Sequence, residues 1–218
     1  MPQSSPLQKT FDLSLETSYD DDDLIISDAN REAHGWLQAW PDWNGAHCTV
    51  IFGPGGCGKT HLAHLWARRA GAVFQALEGQ NIVLDNLDKI ADETALFHLY
   101  NNTKSAGKSM LLISARPPSA WDIQLPDLKS RIFSCPIFSI APPDDALLQM
   151  VIAKAFADLQ VAVEEDVIKY MINRIDRSFT SGQQLVSAIN QYTLATHKKV
   201  TKPTIREVLA QSTSGARA

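Results

Sequence analysis

Gly53-Pro54-Gly55-Gly56-Cys57-Gly58-Lys59-Thr60 gathers three kinds of chemistry in one short run. Its glycines let backbone N–H groups curl around an anion with no Cβ in the way. Lys59 adds a cation able to reach β- and γ-phosphates, and the Thr60 hydroxyl is a ligand for Mg²⁺. The order G-x-x-x-x-G-K-T is the Walker A pattern, which has this meaning only between a strand and a helix. That context is present. His47-Cys48-Thr49-Val50-Ile51-Phe52 reads as a strand, and Leu62, Leu65 and Trp66 recur at helical spacing. The helix, with His61 in its first turn, would aim its positive end at the phosphates.

Such a loop needs an acid at the end of a neighbouring strand to hold Mg²⁺ through water. Asp85, closing Asn81-Ile82-Val83-Leu84, fits that place. Hydrolytic sites add a second acid that activates water. Here that position is Asn86, an amide that cannot take a proton, so general-base chemistry is weakened. Asp88 is the nearest other acid, displaced by two residues. Slow intrinsic hydrolysis and long nucleotide occupancy are expected. Ser114 ends another apolar run, Met110–Ser114, where a hydroxyl can sense a γ-phosphate or simply end a strand. Arg131 closes Leu125-Pro126-Asp127-Leu128-Lys129-Ser130-Arg131. An arginine there, lent to a neighbour's phosphates, is worth roughly 10³–10⁵ in rate. Farther on, Arg174 and Arg177 share a helix face. Each fits two roles, folding over phosphates or pairing with nearby acids such as Asp176.

These groups require a scaffold. Apolar runs at 47–52, 72–77, 81–85, 110–114 and 135–140 alternate with helical patterns at about 29–40, 60–70 and from Asp92 onward. Ser27 or Asp28 is a candidate cap for the first helix. Continuous apolar strands alternating with helices predict an α/β fold with a parallel sheet covered on both faces. The run at 135–140 contains Pro136 and is expected at an edge. After Pro142-Pro143 only helical patterns follow, at about 144–159, 164–176, 178–197 and 202–210. The expected organisation is a polar N-terminal segment (1–23), an α/β nucleotide-binding domain (24–141) and a small all-helical lid (142–218).

Composition limits the functional classes. The chain has 218 residues and a formal net charge of −4, which argues against strong direct DNA binding. No apolar run is long enough to span a membrane, and Met1-Pro2-Gln3-Ser4-Ser5 shows no secretory signal. Three cysteines, Cys48, Cys57 and Cys135, form no metal-ligand pattern and suit a reducing cytoplasm. Gln8-Lys9-Thr10-Phe11-Asp12-Leu13 is an apolar island in the polar leader.

Taken together, the loop, Asp85-Asn86, the run from Leu111 to Pro118 and Leu125–Arg131 resemble the AAA+ module of the DnaA family. They resemble most its shorter Hda branch (HdaA in alphaproteobacteria), regulatory inactivators of the replication initiator DnaA. The resemblance spans about residues 8–210. It implies an AAA+ P-loop domain followed by a helical lid, with bound ADP or ATP and Mg²⁺. It implies DnaA and the sliding clamp (the beta subunit of DNA polymerase III) as partners, and a possible homo-oligomer. Gln8, Phe11 and Leu13 then take the place of a clamp-binding motif, from which Lys9 and Asp12 depart. Arg131 becomes a finger acting in trans on DnaA-bound ATP, so that hydrolysis represses re-initiation from a cytoplasmic, nucleoid- or replisome-associated location. Ala115 stands where an acid is common, and Gln183 where DnaA carries a lid arginine, leaving Arg177 as a substitute. The alternatives are a non-catalytic, nucleotide-gated clamp adaptor and a helicase-loader-like ATPase.

Overall fold

The computed structural model describes residues 24–87 and 90–215. Elements run α1 (Arg31–Gln38), β1 (Cys48–Phe52), α2 (Lys59–Ala70), β2 (Ile82–Leu84), α3 (Glu93–Ser105), β3 (Met110–Ser114), α4 (Pro126–Phe133), β4 (Ile137–Ser139), α5 (Asp145–Asp158), α6 (Glu165–Ile172), α7 (Phe179–Thr196) and α8 (Lys202–Gly215). The strands form one sheet in the order β2-β3-β1-β4, and every pairing is parallel.

The apolar runs are continuous because both sheet faces are covered. Val83, Ile51, Leu111 and Ile113 point to one face, packed with Leu37 of α1 and Leu62 and Trp66 of α2. Cys48, Val50, Ile82, Met110 and Leu112 point to the other, under α3 and α4. Period-two alternation in strands thus serves two cores at once. Each large aliphatic side chain fully buried this way contributes roughly 1.5–3 kcal/mol. Beyond Pro142-Pro143, α5 to α8 close a third core around Leu148, Ile152, Phe156, Met171 and Ile189. Gly182 lets α7 approach α5, since a Cβ there would stand 3.2 Å from Leu148. The chain is therefore α/β with a C-terminal helical lid. Among the described residues no helix is long and apolar enough to cross a membrane.

Helix starts follow local chemistry. Asp92 and Asp144 accept from Ala95 N and Leu147 N at 2.9 and 2.7 Å, and Ser178 accepts from Ser181 N at 3.0 Å. These caps neutralise orphan first-turn donors. The first helix departs from expectation. It starts at Arg31 with Asn30 at the N-cap, because Ser27 Oγ is spent on Ala29 N at 3.2 Å and Asp28 pairs with Arg31 at 2.8 Å. The expected strand at 72–77 also shrinks. Val73 alone bridges Ile82; the following residues leave the sheet edge, with Phe74 40% and Leu77 37% exposed. β2 is only three residues long, and its outer edge pairs with Val73 alone, through Val73 N to Asn81 O at 3.0 Å and Val83 N to Val73 O at 2.8 Å.

His47, entering β1, meets Tyr100 edge-on with ring centroids 4.4 Å apart. Its Nε2 is buried without a hydrogen-bond partner among the described residues. Burial first, then the charges of Lys104 and Arg131, pull its pKa from 6.5 to about 4. The unfolded chain therefore binds this proton more readily than the fold does. His47 contributes stability that is whole above pH 6.5 and is lost as pH falls toward 4. Thermal melts at pH 7 and pH 5 should show a larger drop for wild type than for His47→Phe. An equal drop would contradict this.

Candidate nucleotide-binding site

β1 lies between β3 and β4, and the glycine loop leaves its carboxyl end. That crevice is where open parallel sheets bind ligands. Gly53 N donates to Ser114 O at 3.3 Å, joining the loop to β3. Gly56 (φ +69°) and Gly58 (φ +96°) adopt left-handed backbone that other residues rarely take. Space is equally restrictive: a Cβ on Gly53 would stand 2.3 Å from Ile140 O, and one on Gly56 2.7 Å from Ser178 Cβ. The lid thus rests on the loop, and Phe179 N donates to Gly56 O at 2.8 Å. Pro54 and Gly55 are exposed at the loop tip. Cys57 is buried in the first core, and burial raises its thiol pKa despite the adjacent Lys59.

Lys59 is buried and donates from Nζ to Gly53 O and Pro54 O, both at 2.7 Å. Thr60 Oγ1 donates to Asp85 Oδ2 at 3.2 Å. Hydroxyl and carboxylate, 25 residues apart in sequence, thus meet as a Mg²⁺ pair requires. Asp85 Oδ1 accepts from Asn86 N at 2.6 Å. Asn86 is exposed with φ +60°, a conformation that Asn and Asp tolerate best after Gly.

A cavity of about 310 Å³ opens here, large enough for a nucleotide-sized ligand. Gly56, Gly58, Lys59, Thr60 and His61 line one side. Leu24, Ile25 and Asn30 contribute from the segment before α1, and Val151, Phe179, Thr180 and Gln183 from the lid. The donor set suits a polyphosphate: a Cβ-free nest, a helix N-terminus, a lysine and a hydroxyl–carboxylate pair. The apolar residues suit a flat ring.

Ser114, Arg131, Arg174 and Arg177 are not among the residues lining this cavity. Ser114 is buried, and its Oγ donates to Arg116 O at 2.6 Å, holding the turn after β3. Arg177 is not on the cavity wall. It faces Asp145, with Nε to Oδ1 at 3.1 Å and a second contact at 3.2 Å. Arg174 lies over the Tyr170 ring at 3.5 Å. Arg131 lies in the last turn of α4, whose Leu128 and Ile132 are fully buried. One position before Ile132, its side chain points outward, exposed and without an ion pair among the described residues. Gln8, Phe11, Leu13 and Asp88 lie outside the described residues. Sequence reasoning missed Leu24, Ile25, Asn30, Val151, Phe179 and Thr180. The nearest sequence reading was the candidate cap at Ser27 or Asp28.

The fold matches domain III of the Thermotoga maritima replication initiation protein DnaA, with a TM-score of 0.76 at 17% identity, over 88% of this chain and 96% of that one. Residues 144–209 match the family model of the Hda lid domain. The C-terminal part of the chain thus belongs with Hda lid domains, and the fold as a whole is shared with DnaA. AMPPCP-bound DnaA from Aquifex aeolicus is also similar, with a TM-score of 0.68 at 18% identity, over 81% of this chain and 66% of that one. An uncharacterised protein of Haemophilus influenzae is 27% identical over 229 residues, covering 94% of this chain and 96% of that protein.

Proposed function

We propose that this chain binds ADP or ATP with Mg²⁺ and, tethered to the sliding clamp, stimulates hydrolysis of DnaA-bound ATP, so repressing re-initiation of replication. In this reading Gly53 to Gly58 wrap the phosphates with backbone N–H groups. Lys59 exchanges its carbonyl partners for phosphate oxygens. Thr60 and Asp85 hold the Mg²⁺, directly and through water, and the ion offsets phosphate charge. Gln8, Phe11 and Leu13 supply the tether, an extended peptide with one amide and two apolar anchors for a hydrophobic cleft. Arg131 enters DnaA's nucleotide site and stabilises charge developing on the phosphoryl group.

The observation that carries the reading is Arg131 itself. It stands exposed in the last turn of a helix anchored by two fully buried residues, on a chain whose lid matches the Hda lid domain. The AMPPCP-bound DnaA structure supports nucleotide binding by this fold. The test is single-turnover hydrolysis of DnaA-bound ATP on clamp-loaded DNA. Added nucleotide-bound chain should accelerate it, and omission of clamp should weaken the effect. Recruitment of the chain to clamp without acceleration would favour a non-catalytic adaptor instead.

The same reading predicts a gain of function. Asn86→Asp keeps a residue that tolerates positive φ and restores a carboxylate beside Asp85. The chain's own ATPase should rise about 10²-fold, the lower end of what general-base catalysis provides. Phosphate release at saturating ATP measures this, and an unchanged rate would contradict it.

A further inference from the structure

Residues 24–27 have no regular secondary structure, yet Leu24 and Ile25 form part of the cavity wall. Asn30 gives this segment its shape. It is 5% exposed and also lines the cavity. As the N-cap of α1 its side chain would ordinarily accept from the first helical turn, but it makes no such bond. Its amide turns back on the preceding segment. Nδ2 donates to Ile25 O at 3.0 Å, and Oδ1 accepts from Ser27 N at 2.9 Å. One planar group therefore fixes a carbonyl and an N–H two residues apart. Ser27 tightens the same turn, its carbonyl accepting from Arg31 N at 2.9 Å. Ala29 O accepts from Ala141 N at 3.2 Å, tying the segment to the linker that enters the lid.

The phosphate-binding groups on this cavity are backbone N–H donors, Lys59 and Thr60. Its apolar surface comes from Leu24, Ile25, Val151 and Phe179, where a heteroaromatic base can leave water. We propose that Asn30 is a positioning residue for the base end of the nucleotide: its amide holds Leu24 and Ile25 as the wall against which the base packs. Resting on the nucleotide-binding reading above, this makes affinity depend on the base as well as on the phosphates. Asn30 acts through the two residues it braces and not through the phosphate loop.

Calorimetric titration of the full chain with Mg²⁺-ADP, and separately with inorganic tripolyphosphate, tests it. Asn30→Ala should weaken ADP binding about tenfold, as loss of two buried hydrogen bonds implies, and leave tripolyphosphate within about twofold. Asn30→Asp keeps the shape and the acceptor for Ser27 N–H but cannot donate to Ile25. It should show the same selective loss, and it replaces Asn30→Ala if that variant does not fold. Unchanged ADP affinity, or equal weakening of both ligands, would overturn the proposal. Wild-type protein that binds neither ligand defeats the nucleotide reading itself; wild type that binds ADP while both variants bind it equally well defeats the positioning role alone.

Discussion

Arg131→Ala should return DnaA-bound ATP to its intrinsic hydrolysis rate, a loss of about 10³-fold or more if the side chain is a finger in trans. Charge shifts among phosphoryl oxygens in the transition state, and a guanidinium placed there needs no reorganisation to stabilise it. The side chain is exposed, so its removal leaves the core of this chain intact. Leu128 and Ile132 continue to anchor α4, and Ser134 N and Cys135 Sγ still reach the residue-131 carbonyl. Loss of stimulation with an unchanged melting temperature is the expected pair of results. Arg131→Lys keeps the charge but not the planar fork, and should recover only part of the rate.

Lys59→Ala should abolish measurable nucleotide binding, raising Kd about 10²-fold or more, as loss of a charge-assisted contact to phosphate predicts. Here the fold pays a second penalty. Lys59 is buried against the Gly53 and Pro54 carbonyls at 2.7 Å, so its removal leaves both acceptors without that donor. The loop should loosen as well as lose a cation. Calorimetry with Mg²⁺-ADP checks the first effect, and hydrogen exchange over residues 53–58 the second. Retained ADP affinity would contradict the assignment.

How much of this was legible in the chain depended on distance along it. The places of the glycine loop, Asp85 and Ser114 at strand ends were readable because each directly follows or closes an apolar run. The Thr60–Asp85 contact reaches across the end of β3, which lies between β1 and β2. Arg131 faces solvent for a reason visible in the spacing of Leu128 and Ile132. Other features rest on contacts that no periodicity encodes. Arg177 is drawn to Asp145, 32 residues away, so one of its two sequence roles is occupied. The strand expected at 72–77 has the right residues but meets a three-residue edge. Ser27 or Asp28 looks like the helix cap in sequence, whereas the structure puts Asn30 at the N-cap and commits its amide to Ile25 O and Ser27 N.

The central claim is that this chain acts on a partner's nucleotide through Arg131. A competition measures it most directly. DnaA preloaded with labelled ATP, on clamp-loaded DNA, receives a fixed amount of wild-type chain and increasing Arg131→Ala. The account predicts that the variant occupies DnaA without acting, so single-turnover hydrolysis falls toward the intrinsic rate as the variant is added. Hydrolysis that stays at the wild-type level, with Arg131→Ala alone stimulating equally well, would contradict it.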